Sequence, residues 1–227
     1  MVVAVIAYNL VQNLAVPRAG YVPANLIAGG GLVALARRYG CSWDDLGLDR
    51  ARARSGMKLG LAGTVVTAGV TLAVALHPRT RRYLFDQRTA GQTGRDIAYQ
   101  SLIRFPVGTA LFEEVAFRGV VYAVWRREGS SDRVAALAAG AVFALWHLIP
   151  TARALAGNPA AERVASLPTR AGAVVAGATL TGVASLGLSW MRKRSGSLIA
   201  PWLTHAGINC AGYLAGVAAW RLSSPKR

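Results

Sequence analysis

The sequence predicts an all-α fold, a polytopic transmembrane helical bundle of seven or eight spans, and three observations carry that expectation. Apolar residues make up 53% of the 227 residues and are gathered into long runs rather than spread at surface-helix spacing. The breaks between runs are rich in arginine, as expected where helices meet headgroups. No strand-like alternation and no internal repeat interrupts the pattern. Mean hydropathy is only +0.35, a value many soluble domains share, so the distribution of the apolar residues decides the class and their total does not.

The apolar runs lie at about 1–17, 20–36, 57–77, 97–125, 134–150, 171–191 and 197–220, each close to the roughly 20 residues that cross a bilayer. Residues 1–17 lack a basic leader and a small-residue cleavage site, and are expected to form the first span rather than a signal peptide. The 97–125 run is long enough to cross while tilted. Pro106 and Gly108 predict a kink there, or a break that turns seven spans into eight. The glycine clusters at 28–31 and 172–178 predict close helix packing in lipid. The segment 41–58, with Trp43 near its start, is amphipathic and is expected to lie along the interface. The whole chain, 1–227, reads as a single membrane domain.

Net charge is +16, from 26 basic and 10 acidic residues. The basic residues sit at the ends of apolar runs: Arg37-Arg38, Arg79 to Arg82, Arg126-Arg127 and Arg192-Lys193-Arg194. A nucleic-acid surface would gather them on one face with aromatic partners; here they anchor helices to anionic headgroups, and no nucleic-acid partner is expected. The positive-inside rule then places 37–57, 126–133 and 192–196 in the cytoplasm and leaves the Arg-rich 78–95 stretch on the far side. Cys41 and Cys210 form neither a disulfide framework nor a CxxC metal motif.

Against this apolar background, three polar clusters stand out. Residues 112–118 read Phe-Glu-Glu-Val-Ala-Phe-Arg. A charged side chain at membrane depth costs roughly 2.5–3.5 kcal/mol on insertion scales and is usually paired and functional. Glu114 and Arg118 are four apart and share a helix face, so an ion pair is expected between them. Glu113 lies about 100° around the helix, free to face a different cavity and to act as a general base toward water. A packing role in which both glutamates balance Arg118 fits the same spacing. The second cluster is Phe143-Ala-Leu-Trp-His147, with Phe143 and His147 on one face; an interfacial histidine ahead of Pro150 also fits it. The third is His205-Ala-Gly-Ile-Asn209, whose polar groups need partners if buried; interhelical hydrogen bonds would satisfy them. Their conjunction on three separate runs points to one shared polar cavity. His77, at the Arg-rich end of its run beside Pro78, reads as interfacial.

The order Glu-Glu-x-x-x-Arg, Phe-x-x-x-His and His-x-x-x-Asn, each on its own apolar run, resembles the CAAX-processing and bacteriocin-immunity (CPBP) family, which includes intramembrane glutamic endopeptidases. The likeness covers about 97–215, the expected catalytic core. It implies a conical intramembrane polar cavity and a peptide hydrolase in which Glu113 and His147 activate water while His205 and Asn209 stabilise the oxyanion. It also implies that Glu114 and Arg118 hold the catalytic helix, with Phe143 orienting its neighbours. No cofactor is expected. Two histidines and a glutamate could instead bind zinc, although HExxH is absent and the histidines lie on different helices. A non-catalytic immunity or scaffold protein is the remaining alternative.

The expected partners are the lipid bilayer and a membrane-associated peptide or protein. The Ala-, Arg- and Gly-rich composition fits a GC-rich bacterial genome, hence a multi-pass protein of a bacterial cell membrane.

Overall fold

The computed structural model describes residues 1–81, 84–157 and 167–223. Helices account for nearly all of the described chain, and no strand occurs among the described residues. They are α1 (Val2–Leu14), α2 (Tyr21–Arg38), α3 (Ala53–Leu76), the continuous helix α4 (94–127), α5 (Asp132–Trp146), α6 (Leu148–Ala156), α7 (Leu167–Ser195) and α8 (Ile199–Ser223).

By length and composition, three helical stretches can cross a membrane: Arg18–Arg38, Arg50–Leu76 and Pro168–Ser195. The pair α5 and α6, bent by 42°, adds a fourth. Their outward faces carry exposed Ile27, Val65, Val66, Val70, Leu72 and Leu180, an apolar surface suited to lipid. Two expected spans, α4 and α8, fall outside that set, and they are the two that carry most of the polar clusters. Glu113, Glu114 and Arg118 in one, and His205 and Asn209 in the other, lower their hydropathy. Helix α1, also expected to span, has 13 residues and rises about 20 Å, short of the ~30 Å hydrocarbon core.

The predicted break at Pro106 does not occur. Helix α4 runs unbroken because Gln100–Leu111 and Val115–Val121 are π-helical, flanking one α-helical turn, Phe112–Glu114. Widening the helix to i→i−5 bonding accommodates the proline, and the carbonyl that its missing N–H leaves over, that of Ser101, accepts from Cys210 Sγ–H at 3.3 Å. Trp202 Nε1–H donates to Pro106 O at 2.8 Å, and Asn25 Nδ2–H donates to Gly108 O at 2.7 Å. Tyr8 in turn donates to Asn25 Oδ1 at 2.6 Å. Such π-helical insertions are frequent at functional sites.

The basic segments assemble as expected at one end of the bundle. Arg192 donates to the carbonyls of Asp44 and Asp45 at 2.8 and 3.0 Å. Lys193 pairs with Asp132 at 2.6 Å, and Tyr39 bonds Glu128. At the opposite end, Gln87 N–H donates to Gly157 O at 3.0 Å and Tyr213 bonds Gln92 at 2.9 Å, so the 84–95 stretch lies there. His77 caps α3 at that end and is exposed. The amphipathic 41–58 segment is shorter than expected: a turn around Asp44 and a 3-10 turn at Arg50–Arg52 precede α3, which already includes Ala53.

Close helix packing occurs, and it involves one glycine of the clusters singled out in the sequence: a Cβ on Gly177 would lie 2.8 Å from Thr151 Cγ2 of α6. Gly30, Gly31 and Gly172 have open space where a Cβ would stand. Another tight contact joins α3 and α8, where a Cβ on Gly60 would lie 2.9 Å from Leu203 Cβ and 3.0 Å from Ala200 O. Composition predicts that small residues pack; which glycines do so depends on which faces meet. A buried cluster around Val5, Phe112, Phe117, Val120, Phe143 and Trp146 binds α1, α4 and α5 together, with Phe117 edge-on to Phe143 at 5.0 Å between centroids.

Candidate active site

The α-helical turn between the two π-helical stretches of α4 presents both glutamates to the bundle interior, where Glu113 is 5% exposed and Glu114 fully buried. Arg118, one turn on, is equally buried and its Nη1–H donates to Glu114 Oε1 at 3.0 Å. Its other amine reaches Ser185 O on α7 at 3.5 Å. The guanidinium lies over the Phe143 ring at 4.2 Å, and the other neighbour of that ring is His147, at 4.2 Å between centroids. Phe143 thus touches the charged pair and one histidine at once, and sits edge-on to His205 at 6.0 Å.

The two glutamates do not face different cavities. His205 enters from α8 between them. Its Nδ1 lies 2.7 Å from Glu114 Oε1, and its Nε2 lies 3.6 Å from Glu113 Oε2. Neighbouring positions on a helix are separated by about 100°, an angle wide enough for one imidazole to stand between two carboxylates. His147 Nε2 faces the same oxygen of Glu113 at 3.9 Å. His147 Nδ1 bonds the Phe143 carbonyl at 2.9 Å, which leaves Nε2 turned toward the carboxylate. His147 stands at the bend where α5 ends and the chain resumes as α6. Pro150 falls in the first turn of α6, where its missing N–H costs no helical bond.

Oε2 of Glu113 has no hydrogen-bond partner among the described residues. The other oxygen, Oε1, accepts from the indole N–H of Trp146 at 3.1 Å. Asn209 follows one turn after His205 on α8 and is half-buried; it makes no hydrogen bond with another described residue. Of the residues singled out in the sequence, Glu113, Glu114, Arg118, Phe143, His147 and His205 form one connected cluster, while Asn209 shares only the helix of His205.

An apolar cavity of about 220 Å³ reaches Glu114 from the basic end of the bundle, lined in part by Leu48, Arg50, Leu111, Ile199 and Trp202. Its rim is built by the 46–50 turn. Gly47 has φ +71°, and a Cβ there would lie 2.6 Å from the Arg192 guanidinium carbon. Its carbonyl accepts from Leu198 N–H at 2.9 Å, tying the turn to the start of α8.

Residues 97–211, just over half of the chain, match the type II CAAX prenyl endopeptidase Rce1-like family. The chain belongs to this family. No curated protein and no solved structure gives a significant match. The Rce1-like match runs from the start of α4 to just beyond Asn209, so it spans every polar cluster described above. Membership together with the apolar helices makes the chain an integral membrane protein of a peptide-hydrolase family, with a bilayer and a membrane-associated substrate as its surroundings.

Sequence reasoning missed several supporting residues of this Rce1-like site. Trp146, Asn25 and Trp202 bond the carboxylate or the π-helical carbonyls. A signal existed: amides and indoles inside apolar runs need partners, and the argument applied to Asn209 applies equally to Asn9 and Asn25.

Proposed function

We propose that this protein is an intramembrane endopeptidase of the glutamic type, resident in a bacterial cell membrane. The observation that carries the reading is Glu113 Oε2: a buried carboxylate oxygen without a partner, facing Nε2 of both His147 and His205. Separations of 3.6 and 3.9 Å are too long for direct hydrogen bonds. A water that touches Oε2 can reach an imidazole as well. Glu113, with His147, removes its proton as oxygen attacks the scissile carbonyl and returns a proton to the leaving amine. His205 donates to the oxyanion through Nε2 when the ring carries both protons, and the Glu114 carboxylate beside Nδ1 balances that charge. The amide of Asn209, one turn away and unengaged, is available as the second oxyanion donor.

In this scheme Glu114, Arg118 and Phe143 act through His205 and His147. They are positioning residues and do not touch the substrate. The scheme uses no metal, and among the described residues no group of three His, Cys, Asp or Glu side chains is placed to hold one.

The test is a comparison of membrane-protein termini in cells carrying wild-type protein or Glu113→Gln at equal levels. A set of termini present with the wild type and lost in the variant is expected, and it should persist after treatment with a zinc chelator. An identical pattern of termini in the two strains overturns the proposal, and loss on chelation restored by zinc overturns its metal-free mechanism.

A further inference from the structure

Trp146 carries no role in the scheme above, yet it is among the largest fully enclosed side chains of the protein. Its indole N–H donates to Glu113 Oε1 at 3.1 Å. Its ring is enclosed by Tyr8, Phe112 and Phe117, with centroids 6.4, 5.4 and 5.6 Å away. Its carbonyl accepts from Asn9 Nδ2–H of α1 at 3.2 Å. The ring is therefore held by α1 and α4, and the backbone by α1 as well.

The terminal torsion of a glutamate is broad and roughly two-fold, so a carboxylate without anchors samples many orientations. Among the described residues, Trp146 supplies the one side-chain hydrogen bond made to the Glu113 carboxylate; the imidazoles stand farther off. Trp146 and His147 are consecutive, and they take opposite oxygens of the same group. The 42° bend between α5 and α6 falls at this pair of residues. The arrangement mirrors Glu113 and Glu114, which flank one imidazole from consecutive positions.

We propose that Trp146 is a positioning residue whose indole N–H anchors Oε1 of Glu113, so that Oε2 is presented to His147 and His205. This rests on Glu113 being the base. Removing the N–H leaves the carboxylate in place but lets it rotate, so the fraction of time in the reactive orientation falls while the substrate contacts stay intact. The effect belongs in kcat and not in KM.

The experiment uses a quenched fluorogenic peptide spanning one of the Glu113-dependent termini, with full-length protein in lipid nanodiscs. Two replacements are compared. Trp146→Phe removes the N–H and part of the ring. Site-specific benzothienylalanine at position 146 keeps the bicyclic shape and exchanges only N–H for sulfur. Both should lower kcat roughly 10- to 100-fold, the scale of one hydrogen bond to a charged group, with KM within about twofold of wild type. The benzothienylalanine protein should also melt with the wild type, which separates the hydrogen bond from packing. Wild-type kcat in the benzothienylalanine protein overturns the proposal, whatever Trp146→Phe does. If Glu113→Gln leaves all termini unchanged, the underlying assignment of the base fails, and the Trp146 role falls with it.

Discussion

Removing Arg118 strands Glu114 in the interior, and the cost follows from the contacts. Arg118 and Glu114 both have side chains with no exposure, joined at 3.0 Å. In Arg118→Met the volume is largely kept and the charge is lost. Breaking a buried pair by removing one partner costs about 3–5 kcal/mol, mostly because the remaining charge is left uncompensated. Here the lower end applies, since His205 Nδ1 still lies 2.7 Å from the same carboxylate oxygen. At about 2–4 °C per kcal/mol for a chain of this size, 3 kcal/mol lowers the melting temperature by about 6–12 °C. The double variant Arg118→Met/Glu114→Gln removes the stranded charge and keeps an acceptor for His205, so it should regain at least half of that loss. The assay is thermal unfolding in detergent with a thiol-reactive dye. It suits this protein because Cys41 is fully buried and both cysteines are free. A double variant that melts no higher than Arg118→Met would refute the reasoning, since the loss would then come from the missing contacts and not from the unpaired carboxylate.

Two further outcomes are expected. Gly60→Ala places a methyl 2.9 Å from Leu203 Cβ and 3.0 Å from Ala200 O; overpacking of this kind costs about 1–3 kcal/mol, whereas Gly30→Ala meets open space and should melt at or above wild type. Equal shifts in the two would show that the α3–α8 contact is not tight. Asp45 accepts from Ser42 N–H at 2.7 Å, and that backbone hydrogen bond holds its carboxyl below the ordinary value. Its contribution to the 42–45 turn is present above the unfolded pKa of about 3.9 and is lost as pH falls through the lowered folded value. Hydrogen-exchange protection of the Ser42 amide should therefore fall in that acid range in wild type and be less pH-dependent in Asp45→Asn; identical pH profiles would discount the role of the turn.

Several features were legible in the residues themselves. Long apolar runs broken by arginines predict a helical membrane protein, because bilayer thickness and headgroup charge act on composition over some twenty residues. The i, i+4 spacing of Glu114 and Arg118 predicts their ion pair, since helix geometry alone brings them together. The three polar clusters, too, could be picked out by the cost of burying them. Other features could not be read this way. Pro106 reads as a kink or a break, but π-helical turns carry α4 through it, and Cys210 of α8 meets the Ser101 carbonyl that the proline leaves over. In the glycine-rich stretches at 28–31 and 172–178, Gly177 packs closely while Gly30, Gly31 and Gly172 face open space, and Gly60 packs closely outside both stretches, because the faces that meet are chosen by the whole bundle.

The glutamate pair shows where that division lies. Local helical geometry separates Glu113 from Glu114 by about 100°, and the sequence by itself determined that much, along with the ion pair and the presence of His147 and His205 on other helices. Only the tertiary structure decided that one imidazole fills the angle between the carboxylates and that Trp146 takes the second oxygen of Glu113. Those contacts join positions 33 and 91 residues apart in the chain. Their distances depend on how α4, α5 and α8 cross, and that crossing is set by packing among all the helices at once.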